Sequence, residues 1–517
     1  MAPSPWLVGL LFGAGAVFGA ACTGLEPQME TDSESDSGGD CPIGSLNCRC
    51  TNAGTCDPGL VCASETCTPG SDETGEPTTS TGDTSVTEIE TSESSSSEPS
   101  QCDPGGDGSP DPACDEAHPY CLAGACFDCG GIVCADVSPA LPVCDADSGL
   151  CAACDCDDST PVCDAASHTC SKCTDHGQCP DSACDLWTGA CLPIAGALWV
   201  DRDGVCDDAA SGAEDDPLCS LGEAFARVNE APEVPHAIRV RPADYDVDDV
   251  LRVPMGALVA LVHATGGDGV RLVAPSLEAL TVDAEGSLLV DGIEITGPGS
   301  DGLACAGGRL WLDRLSVSGA AGHGVYSDDC PVKLRRSVLT SNVRSGVSVA
   351  VADVSIENTY ISKNGNIDDG GGGINLAGGA SLMAVYVTLI DNLAVAGVPY
   401  SVACNVDDPA IEEVRVRNSV AINLGTNTMC PGATVETTAW SAMEAGVSNL
   451  VITYQQLADY LTEDAGVAGV YRAIEGTELD QLAKWVDGDP DIDFDGDPRP
   501  SGDNSPDFAG ADRIRRE

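Results

Sequence analysis

The sequence predicts a mainly β chain in which a parallel β-helix, also called a β-solenoid, follows small disulfide-rich repeats and disordered acidic linkers. Three observations predict this class. The chain has 29 cysteines, and most of them precede Leu221. Acidic Ser/Thr-rich tracts separate the cysteine clusters, and such tracts bury too little apolar surface to fold. In the second half, short segments of alternating apolar and polar residues return about every 22 residues.

Composition limits the partners of the chain. The 517 residues carry a formal net charge of −60, from 83 acidic and 23 basic residues. A field of this sign repels phosphate backbones and anionic headgroups, so nucleic acid is not an expected partner. Divalent cations and cationic partners suit it better. The length suggests several structural units.

The N-terminus resembles an export signal. Residues 1–21 contain an apolar run, Trp6–Ala21, which is short for a membrane span and typical of a signal peptide. The segment Gly19-Ala20-Ala21-Cys22 resembles the lipobox of bacterial lipoproteins, which implies that Cys22 is diacylated and anchors the chain in a membrane. Thr23 resembles the residue that follows this cysteine in outer-membrane lipoproteins. The alternative is an ordinary cleaved signal peptide that leaves a free Cys22 thiol.

The cysteine count supports export. Without Cys22 the chain has 28 cysteines, an even number that can pair completely. A segment so poor in aliphatic residues needs cross-links, and cross-links persist in an oxidising compartment. We therefore expect an exported protein at the outer membrane or cell surface.

The N-terminal half divides into tethers and cysteine modules. Residues 22–40 form an acidic tether, and residues 71–101 form a Ser/Thr/Glu-rich linker. A Cys-rich mini-domain at 41–70 lies between them. Four repeats of four cysteines follow at 102–193.

The repeats share a signature of a Cys-Asp pair, five residues and another Cys. It occurs as CDADSGLC at 144, CDAASHTC at 163 and CDLWTGAC at 184. Neighbouring repeats are joined by C-x-x-C, a spacing that also occurs in zinc and redox sites. Acidic flanks, an even count and the expected compartment favour disulfides, whose connectivity stays open.

The β-helix is expected to begin at residue 197. Its starting segment and N-terminal cap occupy 197–235, its coils 236–435, and a C-terminal cap with an acidic tail 436–517. Ser220-Leu221-Gly222-Glu223 forms a capping-box pattern. The pattern opens a helix with one apolar face, made of Leu221, Ala224, Phe225 and Val228.

Six segments carry the coil repeat, and each alternates apolar and polar residues as a half-buried strand does. Asn342 and Asn364 lie one period apart, so we expect them to stack at a turn. The segments are IEITG, LSVSG, SVLTSN, TYISKN, VTLIDN and SVAINL.

This half is similar to the right-handed parallel β-helix proteins of the pectate-lyase-like class. The resemblance rests on the coils and on two flanking segments, WVDRDGVCDD with PLCSLGEAF, and DFDGDPRPSGDNSPDFAGAD. It implies disulfides Cys206–Cys219, Cys305–Cys330 and Cys404–Cys430. It leaves activity open, because this fold carries lyases, glycosidases, esterases and adhesins. Asp-rich, Cys-dense repeats before a β-helix also resemble predicted lipoproteins of Gram-negative soil bacteria.

Candidate catalytic residues lie among the coils. Gly322-His323-Gly324 resembles the His motif of polygalacturonase-like glycosidases, but the other motifs of that family are missing, and a glycine-rich turn explains the segment. A lyase site would need a base, calcium ligands and sugar-stacking rings. The candidate bases are Lys333, Arg335, Arg336 and Lys363, the candidate ligands Asp328, Asp329, Asp368 and Asp369, and the candidate rings Trp311, Tyr326, Tyr360 and Tyr386.

Calcium is better indicated near the ends of the β-helix. The carboxylates of Asp491, Asp493, Asp495 and Asp497 alternate around a glycine turn and resemble the start of an EF-hand loop, although Gly502 stands at the twelfth position. A shorter cluster contains Asp201 and Asp203.

The resulting hypothesis is a lipid-anchored surface protein whose disulfide-linked stalk displays a β-helix for adhesion or for binding polysaccharide or cell-envelope ligands. One alternative is a polysaccharide lyase or glycoside hydrolase on the same β-helix. Another is a purely structural envelope protein.

The anchor gives the first prediction. We expect Cys22→Ser to abolish incorporation of labelled palmitate and to shift the protein from the membrane fraction to the soluble fraction. The reason is that acyl chains attached at Cys22 supply the membrane affinity. Cys41→Ser, a change in the nearest cysteine module, is the control, and equal labelling of both variants would refute the lipobox assignment.

Overall fold

A computed structural model describes residues 60–63, 66–69, 120–122, 125–127, 143–145, 150–152, 154, 156–164, 167–204, 206–207, 209–264, 269–366, 371–393, 400–404, 413–424, 430–441 and 448–513. The signal peptide, Cys22, the tether and the linker lie outside these residues. The chain forms two units, residues 1–95 and 96–517. Within the described residues, no helix is both long and apolar enough to cross a bilayer.

The cysteine modules are built from two-stranded antiparallel hairpins. The strands are β1 (Leu60–Ala63), β2 (Thr66–Pro69), β3 (Tyr120–Leu122), β4 (Ala125–Phe127), β5 (Val143–Asp145), β6 (Leu150–Ala152), β7 (Val162–Asp164), β8 (Thr169–Ser171), β9 (Cys184–Asp185) and β10 (Ala190–Cys191). The repeat signature spans one hairpin, with its two cysteines directly opposite each other. In the fourth repeat, the Asp185 carboxylate accepts the turn N–H of Trp187 at 3.0 Å. The shared spacing therefore encodes a hairpin closed by an Asx turn.

Disulfides in the third and fourth repeats follow one crossed pattern, in which the first cysteine bonds to the third and the second to the fourth. The bonds are Cys154–Cys163, Cys156–Cys170, Cys173–Cys184 and Cys179–Cys191. Cys170 and Cys173, a C-x-x-C pair, thus bond within different repeats. Three sulfurs of each repeat lie within 4.8 Å of one another, but all are disulfide sulfurs. They cannot supply the thiolates that a zinc site needs.

The C-terminal half is a right-handed parallel β-helix of three sheets, as expected from the sequence. Sheet A has ten strands, β11 (Ala197–Val200), β12 (His236–Val240), β15 (Leu258–His263), β18 (Ser287–Asp291), β21 (Arg309–Asp313), β24 (Val332–Arg335), β27 (Asp353–Glu357), β30 (Ser381–Val385), β33 (Val414–Arg417) and β35 (Thr434–Glu436).

Sheets B and C complete each coil. Sheet B contains β13 (Asp244–Asp246), β16 (Val270–Val273), β19 (Ile293–Thr296), β22 (Ser316–Ser318), β25 (Val338–Thr340), β28 (Tyr360–Ser362), β31 (Thr388–Ile390), β34 (Val420–Ile422), β36 (Ala439–Trp440) and β37 (Leu450–Val451). Sheet C contains β14 (Leu251–Val253), β17 (Leu280–Val282), β20 (Leu303–Ala306), β23 (Val325–Asp328), β26 (Val347–Ala350), β29 (Ile374–Ala377) and β32 (Val402–Cys404). All six sequence repeats fall on sheet B.

Inward side chains of successive coils form one aliphatic column. In sheet A, Leu310 pairs with Val332, and Leu312 pairs with Leu334, its equivalent on the next coil. All four side chains are buried in the same cluster. Full burial of such a side chain contributes about 2 kcal/mol, so the column is the main source of stability.

Many corners of the β-helix are turned by a residue with positive φ. Asn358 (φ 46°) leads from sheet A to sheet B, Ser341 (φ 58°) from B to C, and Gly307 (φ 74°) from C to A. Gly and Asn adopt this conformation at low cost. Gly297 (φ 58°) and Gly319 (φ 70°), which end two of the repeat segments, have this corner conformation. Asn342 and Asn364 each follow the positive-φ residue of their corner.

The helix α1 (Leu221–Glu230) closes the N-terminal end of the column, as predicted. Ser220 Oγ accepts the Glu223 N–H at 3.2 Å, and the apolar face packs into the core cluster with Leu198 and Ile238. The Cys206–Cys219 bond lies in the same segment. Cys305–Cys330 and Cys404–Cys430 link residues of successive coils.

Buried asparagines form a ladder inside the column. Asn342 Nδ2 donates to Asn364 Oδ1 at 2.8 Å, and Asn364 Nδ2 donates to Asn392 Oδ1 at 3.0 Å. The backbone N–H of Asn392 donates to Asn423 Oδ1 at 2.9 Å. The stacking of Asn342 and Asn364 was predicted, and the ladder extends over two further coils.

Within the range expected to hold a C-terminal cap and an acidic tail, residues 452–513 fold back along the outer face of sheet B. This C-terminal segment contains α2 (Leu457–Tyr460), β38 (Leu461–Glu463), β39 (Tyr471–Ala473), β40 (Ala483–Trp485) and β41 (Ser505–Asp507). Arg499 fixes it through a 2.9 Å ion pair with Asp507, hydrogen bonds to Asn358 Oδ1 and stacking on Tyr386. Its apolar residues, hidden among aspartates in the sequence, pack on Tyr360 and Val420.

The asparagine ladder gives the second prediction. Asn364→Ala should lower the free energy of unfolding by about 3 kcal/mol, because it leaves buried amide and carbonyl groups of neighbouring coils without partners. Urea denaturation followed by circular dichroism measures the change. Asn375→Ala, at a half-buried position on the outer face of sheet C, should cost less than about 1 kcal/mol. Equal losses would show that the ladder adds no stability of its own.

Candidate functional site

A groove crosses the outer face of sheet A, and we call it the outer groove. Its floor consists of outward side chains on β24, β27, β30 and β33. These are Lys333, Arg335, Ser355, Glu357, Met383, Arg415 and Arg417. The alternation of strand residues places them outside because their neighbours in sequence fill the aliphatic column.

One wall of the groove is the fourth Cys-rich repeat, which packs against sheet A. Ala183 and Leu192 of the repeat share an apolar cluster with Ala260 and Leu289 of the sheet. The buried Arg239 guanidinium donates to the Ser182 carbonyl at 2.6 Å. Apolar burial and a buried hydrogen bond therefore fix the position of the repeat.

The opposite wall is the C-terminal segment. Asn418 Nδ2 donates to the Lys484 carbonyl at 2.9 Å, and Asn358 Nδ2 donates to the Ile492 carbonyl at 2.7 Å. Arg417 forms an ion pair with the buried Asp489. Residues 488–492 thus stand beside the floor.

Three cavities lie along the outer groove, with volumes of about 330, 400 and 420 Å³. The first is lined by Trp187, Lys333 and Met383, and the second by Asp175, Arg335 and Glu357. The third is lined by Arg415, Arg417 and Lys484. Three adjacent cavities of this size suit a ligand made of several small units, whereas one deep pocket would suit a single small molecule.

Lys333 is the cation that lines the first cavity, whose lining also includes Asp353 and Glu413. Its ammonium lies 4.2 Å from the centroid of Trp311 and 5.0 Å from that of Trp187. The two indoles meet edge to face, with centroids 5.0 Å apart. Among the described residues, no carboxylate oxygen lies within 4.0 Å of this ammonium, although acidic residues outnumber basic ones more than threefold.

Arg335 and Arg336 are held by one buried carboxylate. The Asp313 carboxylate accepts hydrogen bonds from the Arg335 guanidinium at 2.6 Å and from the Arg336 guanidinium at 2.5 Å. The Asp313 side chain is 4% exposed. Burial alone would raise the pKa of Asp313, but the two guanidinium groups outweigh it and lower that pKa. The arrangement fixes both arginines beside the second cavity, whose lining also includes Asp175, Glu357, Asp489 and Asp491.

Glu357 is the unusual acid of the floor. Burial raises the pKa of its carboxyl, and the neighbouring Arg335 and Lys333 act in the opposite direction. Its carboxylate is not hydrogen-bonded to any other residue that the structure describes. A carboxyl of raised pKa in a cavity can donate a proton at a higher pH than an exposed one.

The predicted bases are only partly brought together. Lys333, Arg335 and Arg336 line the outer groove, whereas Lys363 pairs with Glu463 at 2.5 Å beyond the end of sheet B. Asp328 and Asp329 lie where sheet C meets sheet A, and Asp368 and Asp369 are outside the described residues.

His323 has a structural environment. Its Nδ1 accepts the Ser345 N–H at 3.2 Å, and its own backbone N–H donates to Asp301 at 2.6 Å. Its ring stacks on Tyr326 at 5.7 Å, and burial lowers the pKa of the imidazole. These contacts match the alternative that His323 belongs to a turn between coils.

Two of the four candidate platforms are inaccessible. Tyr360 and Tyr386 are fully buried and cannot stack on a sugar. Trp311 lies on β21 beside the outer groove, where it contacts Trp187 and Lys333, and Tyr326 lies on sheet C. Trp187, Glu357, Arg415 and Arg417 were not singled out in the sequence. The signal for three of them is the alternating outward position in the strands VSIE and VRVR.

The C-terminal acidic cluster surrounds an arginine. Arg472 contacts Asp464 at 3.1 Å, Asp495 at 2.5 Å and also Asp512. Asp493 is buried and accepts the Asp497 N–H at 2.8 Å, while the Asp491 carbonyl accepts the Arg499 N–H. Within the described part of the chain, no three carboxylates bring oxygens within 4.8 Å of one another. Calcium binding here stays a prediction.

The shorter acidic cluster is also engaged internally. Asp201 pairs with Arg241 at 2.8 Å and accepts the Gly204 N–H at 2.9 Å. Asp203 is exposed. Its role as a calcium ligand remains a prediction.

Comparison with known proteins locates two similarities. Residues 93–197, which include the four Cys-rich repeats, match a family of unknown function (DUF8331). No curated protein sequence matches the chain.

Among solved structures, the chain is similar to a rhamnogalacturonan lyase, with 14% identity, a TM-score of 0.36 and coverage of 47% of this chain and 73% of the other. It is similar to the pectate lyase Pel9A, with 14% identity, a TM-score of 0.38 and coverage of 62% and 96%. A PL6 family alginate lyase shows 10% identity, a TM-score of 0.19 and coverage of 50% and 39%. The three sheets themselves define the class as a parallel β-helix protein, and similarity at this level carries no argument for an activity.

The C-terminal cluster gives the third prediction. Burial, together with Asp493 and Asp495, raises the pKa of Asp512 from 3.8 to about 8, although Arg472 opposes the shift. The folded state then holds a proton that the unfolded state has lost, so stability should fall as pH rises from about 4 to 8. Asp512→Asn should remove this slope and raise stability at pH 8 by about 2 kcal/mol.

Thermal unfolding between pH 4 and 9 measures the effect, with the exposed Asp503→Asn as the control. A slope that persists in Asp512→Asn would assign the pH dependence to another group.

Proposed function

We propose that this protein is an exported surface protein whose outer groove binds an anionic polysaccharide. The observation that carries the proposal is Lys333, an ammonium without a carboxylate partner among the described residues, stacked over two indoles in a cavity. An indole face binds the apolar face of a sugar ring, and an unpaired cation attracts its negative group.

The length of the outer groove supports a polymeric ligand. Outward cations lie at both ends of it, Lys333 and Arg335 on β24 and Arg415 and Arg417 on β33. The strands between them, β27 and β30, present Ser355, Glu357 and Met383. A ligand that contacts both cationic ends must extend over four strands, which suits a polymer. The lining of the first cavity also includes Asp353 and Glu413, so the attraction for a polyanion comes from the unpaired Lys333 ammonium rather than from the outer groove as a whole.

Location at a lipid-anchored surface is part of the same proposal. The third and fourth Cys-rich repeats each contain two disulfides. Such bonds favour an oxidising compartment. A surface position would present the outer groove to extracellular or envelope polymers, which is the adhesion role expected from the sequence.

A second candidate function is cleavage of the bound polysaccharide. The observation that favours it is Glu357, whose pKa is raised by burial and which lies beside Arg335 in the second cavity. New reducing ends or unsaturated products, formed by the full chain with or without calcium and lost in Glu357→Gln, would support this function. Bound but intact polymer would favour a binding protein, and a purely structural protein would show neither.

Lys333 gives the fourth prediction. Lys333→Met should weaken binding of polygalacturonate by about tenfold, because it removes the cation while keeping a chain of similar length. Isothermal titration calorimetry at low and high salt measures the loss and its screening. Lys172→Met, which removes an exposed lysine outside the outer groove, should leave affinity unchanged. Equal affinities of wild type and Lys333→Met would exclude this cavity as the site.

A further inference from the structure

The fourth Cys-rich repeat differs from its neighbours at the tip of its hairpin. The signature CDLWTGAC places Trp187 at the position that Ala166 holds in the third repeat and Asp147 in the second. All three occupy the same position of the Cys-Asp-x5-Cys signature. A large ring is therefore not needed to form the turn.

Trp187 is directed at the outer groove. It lines the 330 Å³ cavity together with Lys333, Ser355 and Met383, and it remains partly exposed there. The Asx turn of Asp185 fixes the backbone N–H of Trp187 at 3.0 Å, and Thr188 Oγ1 donates to the same carboxylate at 2.8 Å. The ring thus projects from a rigid hairpin.

Contacts besides those of Trp187 also hold the hairpin against the sheet. Ala183 and Leu192 are buried on Ala237, Ala260 and Val262, and the Arg239 guanidinium is hydrogen-bonded to the Ser182 carbonyl. Arg309 also lies over the Trp187 ring, with its guanidinium carbon 5.1 Å from the centroid. Cations from two neighbouring strands therefore surround one indole.

We propose that the fourth Cys-rich repeat is part of the binding site, and that Trp187 with Trp311 and Lys333 forms a composite subsite for one anionic sugar unit. The sugar ring packs on the exposed part of the Trp187 indole, and its carboxylate or sulfate group contacts the Lys333 ammonium. The repeat supplies the aromatic wall and the β-helix supplies the charge. This inference rests on the proposed function. It adds that Trp187 distinguishes anionic sugar polymers from other polyanions.

The contribution of the sugar ring to binding can be separated from the contribution of its negative charge. A polyanion without sugar rings gains only the electrostatic contact with Lys333, whereas an anionic polysaccharide also gains the aromatic contact. Trp187 should therefore matter for one class of ligand and Lys333 for both.

The experiment uses the full chain and two probes, polygalacturonate and poly-L-glutamate, which share carboxylates but differ in the presence of pyranose rings. Trp187→Ala introduces the residue of the third repeat at this position. It should lower the affinity for polygalacturonate about tenfold and leave that for poly-L-glutamate within twofold. Trp187→Phe keeps an aromatic face and should restore most of the loss. Lys333→Met should weaken both probes.

Hydrogen exchange at the Ala183 and Leu192 amides reports whether the repeat stays against the sheet. With the repeat in place, an unchanged affinity of Trp187→Ala for polygalacturonate overturns the composite subsite and leaves the proposed function standing. If Trp187→Ala releases the repeat, Trp187→Phe decides in its place, and a tenfold loss in that variant contradicts an aromatic contact. A wild-type chain that binds no polyanion overturns the proposed function and this inference together.

Dextran sulfate is the third probe, and it identifies the anionic group. Binding of polygalacturonate alone assigns a carboxylated unit, and binding of dextran sulfate with the same dependence on Trp187 assigns a sulfated one. Either result supports the subsite, whereas dextran sulfate binding that ignores Trp187 overturns it for sulfated sugars.

Discussion

Stacking of aliphatic side chains from one coil onto the next is the interaction on which the rest of the structure depends. Leu310, Val332 and Val354 occupy equivalent positions of consecutive sheet A strands, and all are buried. Because inward positions are taken by this column, the alternate residues of each strand must point outward. The same register that builds the core therefore arranges the outward residues in rows, and the outer groove is made from these rows.

Charge distribution explains why the groove differs from the remaining surface. Most arginines of the described residues are paired with aspartates or glutamates, as Arg335 and Arg336 are with Asp313. Lys333 instead lies over aromatic faces, which stabilise a cation without neutralising it. A protein of net charge −60 thus keeps the Lys333 ammonium without a carboxylate partner among the described residues. The proposed binding of an anionic polymer rests on this ammonium.

The fourth Cys-rich repeat has a role that its composition did not suggest. In the sequence it continues a series of similar modules and is expected to be part of a stalk. In the structure its buried face contacts β12, β15 and β18, and its hairpin tip reaches the groove. Repeats that serve as spacers need only their disulfides, whereas this one carries apolar residues and a tryptophan suited to a second surface.

Much of the architecture follows from local sequence. Short alternating segments that return at a nearly constant spacing determine the β-helix, because only coil stacking returns equivalent residues to the same place. The capping box and apolar face predicted α1, and the asparagine spacing predicted the Asn342–Asn364 contact. The even cysteine number indicated disulfides. Spacing could not give their connectivity, since several pairings are compatible with loops of similar length.

The groove and the course of the C-terminal segment were decided by tertiary structure. Residues 452–513 look like an acidic tail because aspartates dominate their composition, yet Arg499 and a few apolar residues fix them to sheet B. Trp187 and Lys333 are distant in sequence and meet only because the repeat packs on sheet A. The sequence by itself determined which residues repeat and which can pair. Which outward residues share a site depended on how separate segments pack on the β-helix. No local sequence pattern encodes the distance between residues of different segments.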